Sequence, residues 1–258
     1  MVNVSVIGCG NMGSALIEGL WRAGGHTTTA CDLDPDALAR VADFCDRTTD
    51  DPTVAAEADI VVVAVKPDIV GAVLDSLSLS PEQTLVTFAA GVSRSYVAAR
   101  TDAETVVRVM PNLAAASGNA AAAVTKDGLT DEVRALLADV GEFVEIDESL
   151  MDTATAVNGS GPAFVFYLMQ AMQDAGVESG LTHEQAELLA AQTFKGAAET
   201  VLRDDRTLDE LIDAVCSPNG TTIEGMKVLR ASDADEAMRK AVWAAEDRSK
   251  ELSEAFHD

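Results

Sequence analysis

The chain has 258 residues, 48% hydrophobic and 24% charged, a balance that excludes a disordered chain and allows two modest domains. Its 43 acidic residues outnumber 18 lysines and arginines, and the net charge of −25 argues against nucleic acid or an anionic membrane as a partner. Apolar runs such as residues 60–65 are too short to span a bilayer and the first residues lack a signal-peptide pattern, so a soluble, cytoplasmic protein is expected.

The acidic residues are dispersed along the chain and lysines are scarce. This pattern indicates adaptation to a high-salt cytoplasm, where screening reduces self-repulsion, and the alternative is an ordinary acidic protein. The four cysteines form no CxxC pair and no His–Cys cluster with zinc spacing. They are expected to be small buried residues in a reducing compartment, and no metal site is expected.

Short apolar runs alternate with helical patterns through the first 150 residues. The strands are predicted at residues 2–7, 27–31, 58–65, 84–88, 105–109, 119–125 and 142–146. The helices between them are predicted at residues 14–23, 37–44, 67–77 and 131–140. This alternation predicts an α/β fold with a mainly parallel sheet covered on both faces.

Beyond residue 150 the pattern is helical only, with helices predicted at residues 149–157, 162–175, 184–202, 208–215, 222–230 and 234–254. We therefore expect an α/β domain over residues 1–150 and an all-α domain over residues 151–258. One predicted helix carries an apolar stripe formed by Ala186, Leu189, Ala190, Thr193, Phe194, Ala197 and Val201. The stripe indicates burial against a partner subunit, in a homodimer or a dimer-based higher oligomer, and the alternative is packing on the chain's own sheet domain.

A GxGxxG sequence joins the first predicted strand to the first predicted helix. Its residues are Gly8, Cys9, Gly10, Asn11, Met12 and Gly13. In this context the first glycine permits a tight turn, the second admits a pyrophosphate, and the third lets helix and strand pack closely. The motif predicts a dinucleotide site, and the alternative is a tight turn without a ligand.

Further candidate cofactor-binding residues follow the next strands. Asp32 ends the second strand, where a carboxylate accepts hydrogen bonds from ribose hydroxyls and repels a 2′-phosphate, so NAD(P)H is expected with NADH favoured over NADPH. Lys66 is expected at the cleft, with a solvated lysine as the alternative. The other candidates are Ala64, Val65, Pro67, Ala90, Gly91 and Asn112.

Several segments together resemble the pyrroline-5-carboxylate reductase family. They are IGCGNMG at 7–13, AVKP at 64–67, AAGV at 89–92, RVMPN at 108–112, NGSGPAFVF at 158–166 and CSPNGTTIEG at 216–225. The resemblance implies a Rossmann domain followed by a helical dimerisation domain, and reduction of a cyclic imine to L-proline. The last two segments are the most specific for the family.

The resemblance also implies substrate-binding roles for Ser217, Gly220, Thr221 and Thr222, with Thr222 hydrogen-bonded to the substrate nitrogen. Helix capping is the alternative for Ser217 and Thr222, and Ser160 is a further capping candidate. The chain departs from the family's SPGGTT at Asn219, and it reads RVMPNLAA where the family has RVMPNTPA. The alternatives to a proline-forming reductase are another imine or hydroxyacid oxidoreductase, a deazaflavin-dependent NADP reductase, and a non-catalytic nucleotide sensor.

Overall fold

The computed structural model describes residues 2–254 and 256. The strands are β1 (Val2–Ile7), β2 (His26–Cys31), β3 (Arg47–Thr49), β4 (Ile60–Val63), β5 (Thr84–Thr87), β6 (Thr105–Met110), β7 (Ala120–Thr125) and β8 (Gly141–Ile146). The α-helices are α1 (Asn11–Ala23), α2 (Pro35–Val41), α3 (Pro52–Ala55), α4 (Val70–Asp75), α5 (Arg94–Ala98), α6 (Asp131–Val140), α7 (Met151–Ala154), α8 (Gly161–Glu178), α9 (His183–Arg203), α10 (Leu208–Val215), α11 (Thr221–Arg230) and α12 (Ala234–Glu254).

All eight strands form one sheet in the order β3-β2-β1-β4-β5-β6-β7-β8. Every neighbouring pair is parallel except β6 and β7, which pair antiparallel at Val109 with Val124 and at Met110 with Ala123. The predicted α/β class and Rossmann-type sheet are confirmed. The strand order changes direction between β1 and β4, and a ligand crevice opens at such a point in an open α/β sheet.

The core lies on both faces of the sheet, as the apolar strands predict. All four residues of β4 are buried, and alternate positions contribute to opposite faces. One face packs on α1 and α6 and the other on α4 and α5. Strands covered on both faces read as continuous apolar runs, which explains why the sequence located them.

Local capping explains where several helices begin and end. The side chain of Thr130 accepts a hydrogen bond from the Val133 N–H at the start of α6. Reciprocal capping boxes start α9 at Thr182 and α10 at Thr207. At the other end of α1, Gly24 adopts φ 73° and its N–H donates to the Leu20 carbonyl.

The chain packs as two compact units. The first contains the described residues up to Ser160 together with those from Trp243 onward, and the second contains residues 161–242. The expected division into two domains near residue 150 stays a prediction. The compact units differ from it because residues 151–160 and the second half of α12 group with the sheet.

In the second unit, α8 and α9 pack together, but many large apolar side chains remain exposed. In the predicted stripe, Ala186 and Ala190 are buried, whereas Leu189 is 58% exposed and Val201 is also exposed. Such an apolar surface is typical of an interface between subunits. Within the described part of the chain, no helix combines the length and apolar character needed to cross a membrane.

Candidate functional site

The glycine loop has the geometry that its sequence predicts. Gly8 has φ +98°, and a Cβ there would lie 2.7 Å from Val65 Cγ1 and 2.8 Å from the Ala64 carbonyl oxygen. A Cβ on Gly13 would overlap the Gly8 carbonyl oxygen, so α1 can approach β1 this closely only through a glycine. Beside Gly10 the space is open, which leaves the first N–H groups of α1 accessible to an anion.

A cleft of about 780 Å³ lies at the carboxyl ends of β1, β2 and β4. The predicted residues that line it are Gly8, Gly10, Asp32, Ala64, Val65 and Lys66. Its apolar wall includes Pro52, Ile69 and Val73, which the sequence analysis did not single out. Ile69 and Val73 are four residues apart, a spacing that places two side chains on the same face of a helix, so the sequence could have indicated that they lie together. The open glycine loop and this cleft fit a dinucleotide.

The carboxylate of Asp32 is held by the main chain at the mouth of this cleft. Its Oδ2 accepts a hydrogen bond of 2.6 Å from the Cys9 N–H, and its Oδ1 accepts one of 2.9 Å from the Asp34 N–H. Each carboxylate oxygen can accept a further hydrogen bond. The side chain can therefore accept hydrogen bonds from hydroxyl groups of a ligand without losing its support.

The thiol of Cys9 belongs to the core, not to the cleft. Burial, assisted by the negative charge of Asp32, raises the pKa of this thiol from 9.0 to about 12. Burial likewise raises the pKa of Cys31 to about 11. A neutral buried thiol is a poor nucleophile, so the Cys9 thiol is not a reactive group of this site.

The remaining predicted residues of the glycine loop lie beside the cleft. Cys9, Gly10 and Asn11 line a neighbouring cavity of about 340 Å³ on the α1 side of the loop. Met12 is half-buried and packs against the core. Pro67 is half-buried and begins a short 3₁₀ turn directly after Lys66.

Three further predicted cofactor residues, Ala90, Gly91 and Asn112, also do not line the cleft. Ala90 packs beside the buried cluster of Met110 and Met151, and the backbone of Gly91 lies against the end of α12. Asn112 is buried, and its Oδ1 accepts hydrogen bonds from the Ala114 and Ala121 N–H groups. Its Nδ2 donates to the Asn158 carbonyl oxygen at 3.2 Å, so the protein itself engages the amide oxygen and one of the two amide hydrogens. The cofactor roles of these residues stay predictions.

The NGSGP segment, residues 158–162, joins a π-helical turn over Thr155–Gly159 to the start of α8 at Gly161. Asn158 Nδ2 donates to the carbonyl oxygens of Met110 and Ala121, which ties this turn to β6 and β7. Ser160 was expected to cap the following helix. That expectation was wrong, because Ser160 is itself in the right-handed helical conformation and no side-chain cap hydrogen bond involves it.

In the second unit, the predicted substrate residues form a turn that leads into α11. The Gly220 N–H donates to the Ser217 carbonyl oxygen at 2.9 Å and closes a β-turn. Gly220 is the N-cap of α11, and no side chain caps the helix. Helix capping as the role of Ser217 and Thr222 is therefore ruled out in this structure. The first N–H groups of α11, from Thr221 onward, are left without a capping side chain and can bind an anion.

Comparison with known proteins identifies the family. A family model described as pyrroline-5-carboxylate reductase dimerisation matches residues 148–252, and one described as NADP oxidoreductase, coenzyme F420-dependent, matches residues 3–91. The pyrroline-5-carboxylate reductase of Methanosarcina acetivorans is 39% identical in an alignment that covers 96% of this chain and 97% of the relative. The chain belongs to the pyrroline-5-carboxylate reductase family.

Solved structures of this family agree along the whole chain. The pyrroline-5-carboxylate reductase of Coxiella burnetii is 32% identical with a TM-score of 0.86, and 98% of each chain is covered. The pyrroline carboxylate reductase of Plasmodium falciparum, solved with NADP bound, is 29% identical with a TM-score of 0.85 and the same coverage. The similarity therefore includes the helical second unit as well as the sheet.

The departure from the family's SPGGTT segment is accommodated by the turn. Asn219 occupies its third position with φ 57°, and it is the one non-glycine residue with positive φ in the described part of the chain. Asparagine tolerates this conformation better than most residues. The turn of the pyrroline-5-carboxylate reductase motif therefore forms although one glycine is replaced.

Proposed function

We propose that this chain reduces the ring C=N bond of 1-pyrroline-5-carboxylate, with NAD(P)H as hydride donor, to form L-proline. The observation that carries the proposal is the 39% identity, over 96% of the chain, to a relative named pyrroline-5-carboxylate reductase. A bound nicotinamide supplies the hydride for the imine carbon, and the ring nitrogen gains a proton. The protein must bind and orient the two reactants at short range.

On the cofactor side, the glycine loop holds the pyrophosphate and Asp32 holds the adenosine ribose. Gly10 leaves the helix N-terminus accessible, and the two main-chain hydrogen bonds fix the carboxylate of Asp32. Lys66 is exposed at the opposite wall of the cleft and contributes positive charge toward the phosphates. Roles for Ala90, Gly91 and Asn112 remain part of the proposal, through the shape of the site.

We infer a preference for NADH over NADPH. A 2′-phosphate at the ribose would meet the carboxylate of Asp32, and Asp34 and Asp36 follow within four residues. No arginine lines the cleft among the described residues, although an arginine commonly accommodates a 2′-phosphate.

On the substrate side, the uncapped N-terminus of α11 supports a carboxylate site. The proposal places the substrate carboxylate among Ser217, Gly220 and Thr221, where main-chain N–H groups point without an intrahelical partner. The hydroxyl of Thr222, which is exposed in the single chain, hydrogen-bonds the ring nitrogen.

The family's dimerisation model and the exposed apolar side chains support a dimer or a larger oligomer. We propose a homodimer or an assembly built from homodimers, acting on a small-molecule substrate, without nucleic acid or membrane partners. A cytoplasmic location and adaptation to high salt stay predictions from composition.

A turnover assay tests the proposed function. The purified chain is mixed with 1-pyrroline-5-carboxylate and either NADH or NADPH, at low and at multimolar potassium chloride. We expect loss of reduced-nicotinamide absorbance and an equal amount of proline by amino-acid analysis, faster with NADH. Cofactor oxidation without proline would indicate another oxidoreductase. Cofactor binding by a folded chain without any turnover would favour the sensor alternative.

A further inference from the structure

The end of α12 packs against the loop that follows β5. Ser249 and Ser253 lie one helical turn apart, and each is 4% exposed. A Cβ on Gly91 would lie 3.0 Å from the Ser253 nitrogen and 3.1 Å from the Leu252 carbonyl carbon. Gly91, with φ +75°, is thus the place where the helix backbone meets the loop backbone.

The carboxylate of Asp152, on α7, holds this end of the helix. Its Oδ1 accepts hydrogen bonds from Ser249 Oγ at 2.7 Å and from Ser253 Oγ at 3.1 Å. Ser253 Oγ also lies 3.0 Å from the Ser249 carbonyl oxygen, so its single hydrogen is shared between two acceptors. Hydrogen bonds to a carboxylate are roughly twice as strong as neutral ones. Asp152 therefore contacts the two buried side chains that lie nearest the loop.

A second contact fixes the other end of the same loop. Phe256 packs edge-on against Tyr96, with ring centroids 5.6 Å apart and an interplanar angle of 82°. Tyr96 lies on α5, which begins directly after the loop and is capped by the side chain of Ser93. The segment that follows Ser249 therefore contacts the chain both at Gly91 and just beyond it.

This loop does not line the cleft itself, but it follows β5, which lies next to β4 on the side of the sheet away from the ribose site. β5 pairs with β4, whose carboxyl end lines the cleft, whereas Asp32 follows β2 and is separated from β5 by β1 and β4. Loops at the carboxyl ends of parallel strands contact the ligand in such sheets. Under the proposed function, a shift of residues 89–92 would alter the nicotinamide side of the site and leave the ribose end of the cleft in place.

We propose that Asp152, acting through Ser249 and Ser253, is a positioning residue for hydride transfer. It holds α12 against Gly91 and so fixes the position of residues 89–92 on the nicotinamide side of the site. The inference rests on the proposed function, because it takes this loop as the nicotinamide side of the site. The close approach of α12 is a further reason why position 91 is glycine, because a Cβ there would crowd the helix backbone.

The test compares Asp152→Ala with Asp152→Asn, which keeps one carbonyl acceptor for the serine hydroxyls. Ser78→Ala is the control, since Ser78 is exposed in the segment between α4 and β5 and its hydroxyl makes no hydrogen bond to the described residues. Hydrogen exchange at residues 89–92 is measured without cofactor, binding is measured with ADP and with NADH, and turnover gives kcat and KM.

For Asp152→Ala, which removes both serine hydrogen bonds, we expect faster exchange at residues 89–92, unchanged ADP affinity and a kcat about tenfold lower, because a small displacement of a positioning loop slows the reaction. Asp152→Asn should recover most of that loss. Wild-type exchange and kcat in Asp152→Ala would overturn the inference, as would an equal fall in ADP affinity. If Asp152→Ala does not fold, the double variant Ser249→Ala/Ser253→Ala decides in the same way, with unchanged exchange again overturning the inference. A wild-type chain without turnover would contradict the proposed function, and the exchange and ADP measurements would still test the loop contact.

Discussion

Replacing Asp32 with serine should change the cofactor preference, and the size of the change follows from the site. The Cys9 and Asp34 N–H groups fix the carboxylate of Asp32 at the ribose end of the cleft. At about 4 Å, two like charges in a water-like dielectric repel by about 1 kcal/mol. A 2′-phosphate carries a charge of about −2, so its repulsion is about 2 kcal/mol, or about 30-fold in relative affinity.

The assay measures kcat/KM for NADH and for NADPH, in Asp32→Ser and in the wild-type chain. We expect the NADH-to-NADPH ratio to fall by at least about 30-fold at low salt, since loss of the repulsion accounts for about 30-fold and loss of the ribose hydrogen bonds lowers the ratio further. At about 1 M salt the Debye length is only about 3 Å. The repulsive part should then shrink, and the remaining change measures the hydrogen bonds to the ribose.

Asp102→Ser is the matched control for this experiment. Asp102 is exposed and precedes β6, at the amino end of the parallel strands, whereas the cleft lies at their carboxyl ends. Its replacement removes the same net charge. An unchanged ratio in Asp32→Ser at low salt would refute the reasoning. An equal shift in Asp102→Ser would also refute it, since the effect would then come from net charge alone.

Thr222→Val should lower kcat by about tenfold or more while NADH affinity stays unchanged, because a hydrogen bond to the reacting ring is lost. Wild-type kcat would remove Thr222 from the mechanism, and Thr48→Val, at an exposed position on β3, is the isosteric control. Burial raises the pKa of Cys9 to about 12, so this thiol binds its proton more tightly in the folded chain than in the unfolded one. Stability should therefore fall as pH rises from about 9 toward 12, and urea unfolding of Cys9→Ala should show a shallower fall; equal slopes would contradict this. Because the net charge is −25, the thermal midpoint should rise between about 0.1 and 3 M potassium chloride, and a flat or falling midpoint would oppose salt adaptation.

Much of the fold could be predicted because burial leaves a direct pattern in the sequence. The bounds of α6, α10 and α12 agree with the expected ranges, since their apolar faces and end signals are clear. β3 was missed because it has three residues, none of them fully buried, at the edge of the sheet. The antiparallel direction of β7 was not predicted either. The connection from β6 to β7, residues 111–119, is shorter than a parallel crossover needs, so this signal was available.

The candidate site was less predictable where side chains serve contacts between distant parts of the chain. Gly91 was predicted to be a cofactor-binding residue. In the structure its closest neighbours are Leu252 and Ser253, which are more than 150 positions away in the sequence. Asn112 was also predicted to bind the cofactor, but its side-chain amide forms hydrogen bonds with Ala114, Ala121 and Asn158. Periodicity reports which face of one element is buried, but it carries no information about which distant element covers that face.

The first compact unit is discontinuous in sequence, and this has a consequence for its biosynthesis. Its sheet is complete by residue 146, yet the turns of α12 that back the loop after β5 are translated only after residues 161–242. Domains generally fold as units in the order of their synthesis, but a ribosome-bound chain that stops before Trp243 lacks the support at Gly91. The nucleotide-binding half should therefore reach its mature conformation only when α12 has left the ribosome, with the helical unit already made.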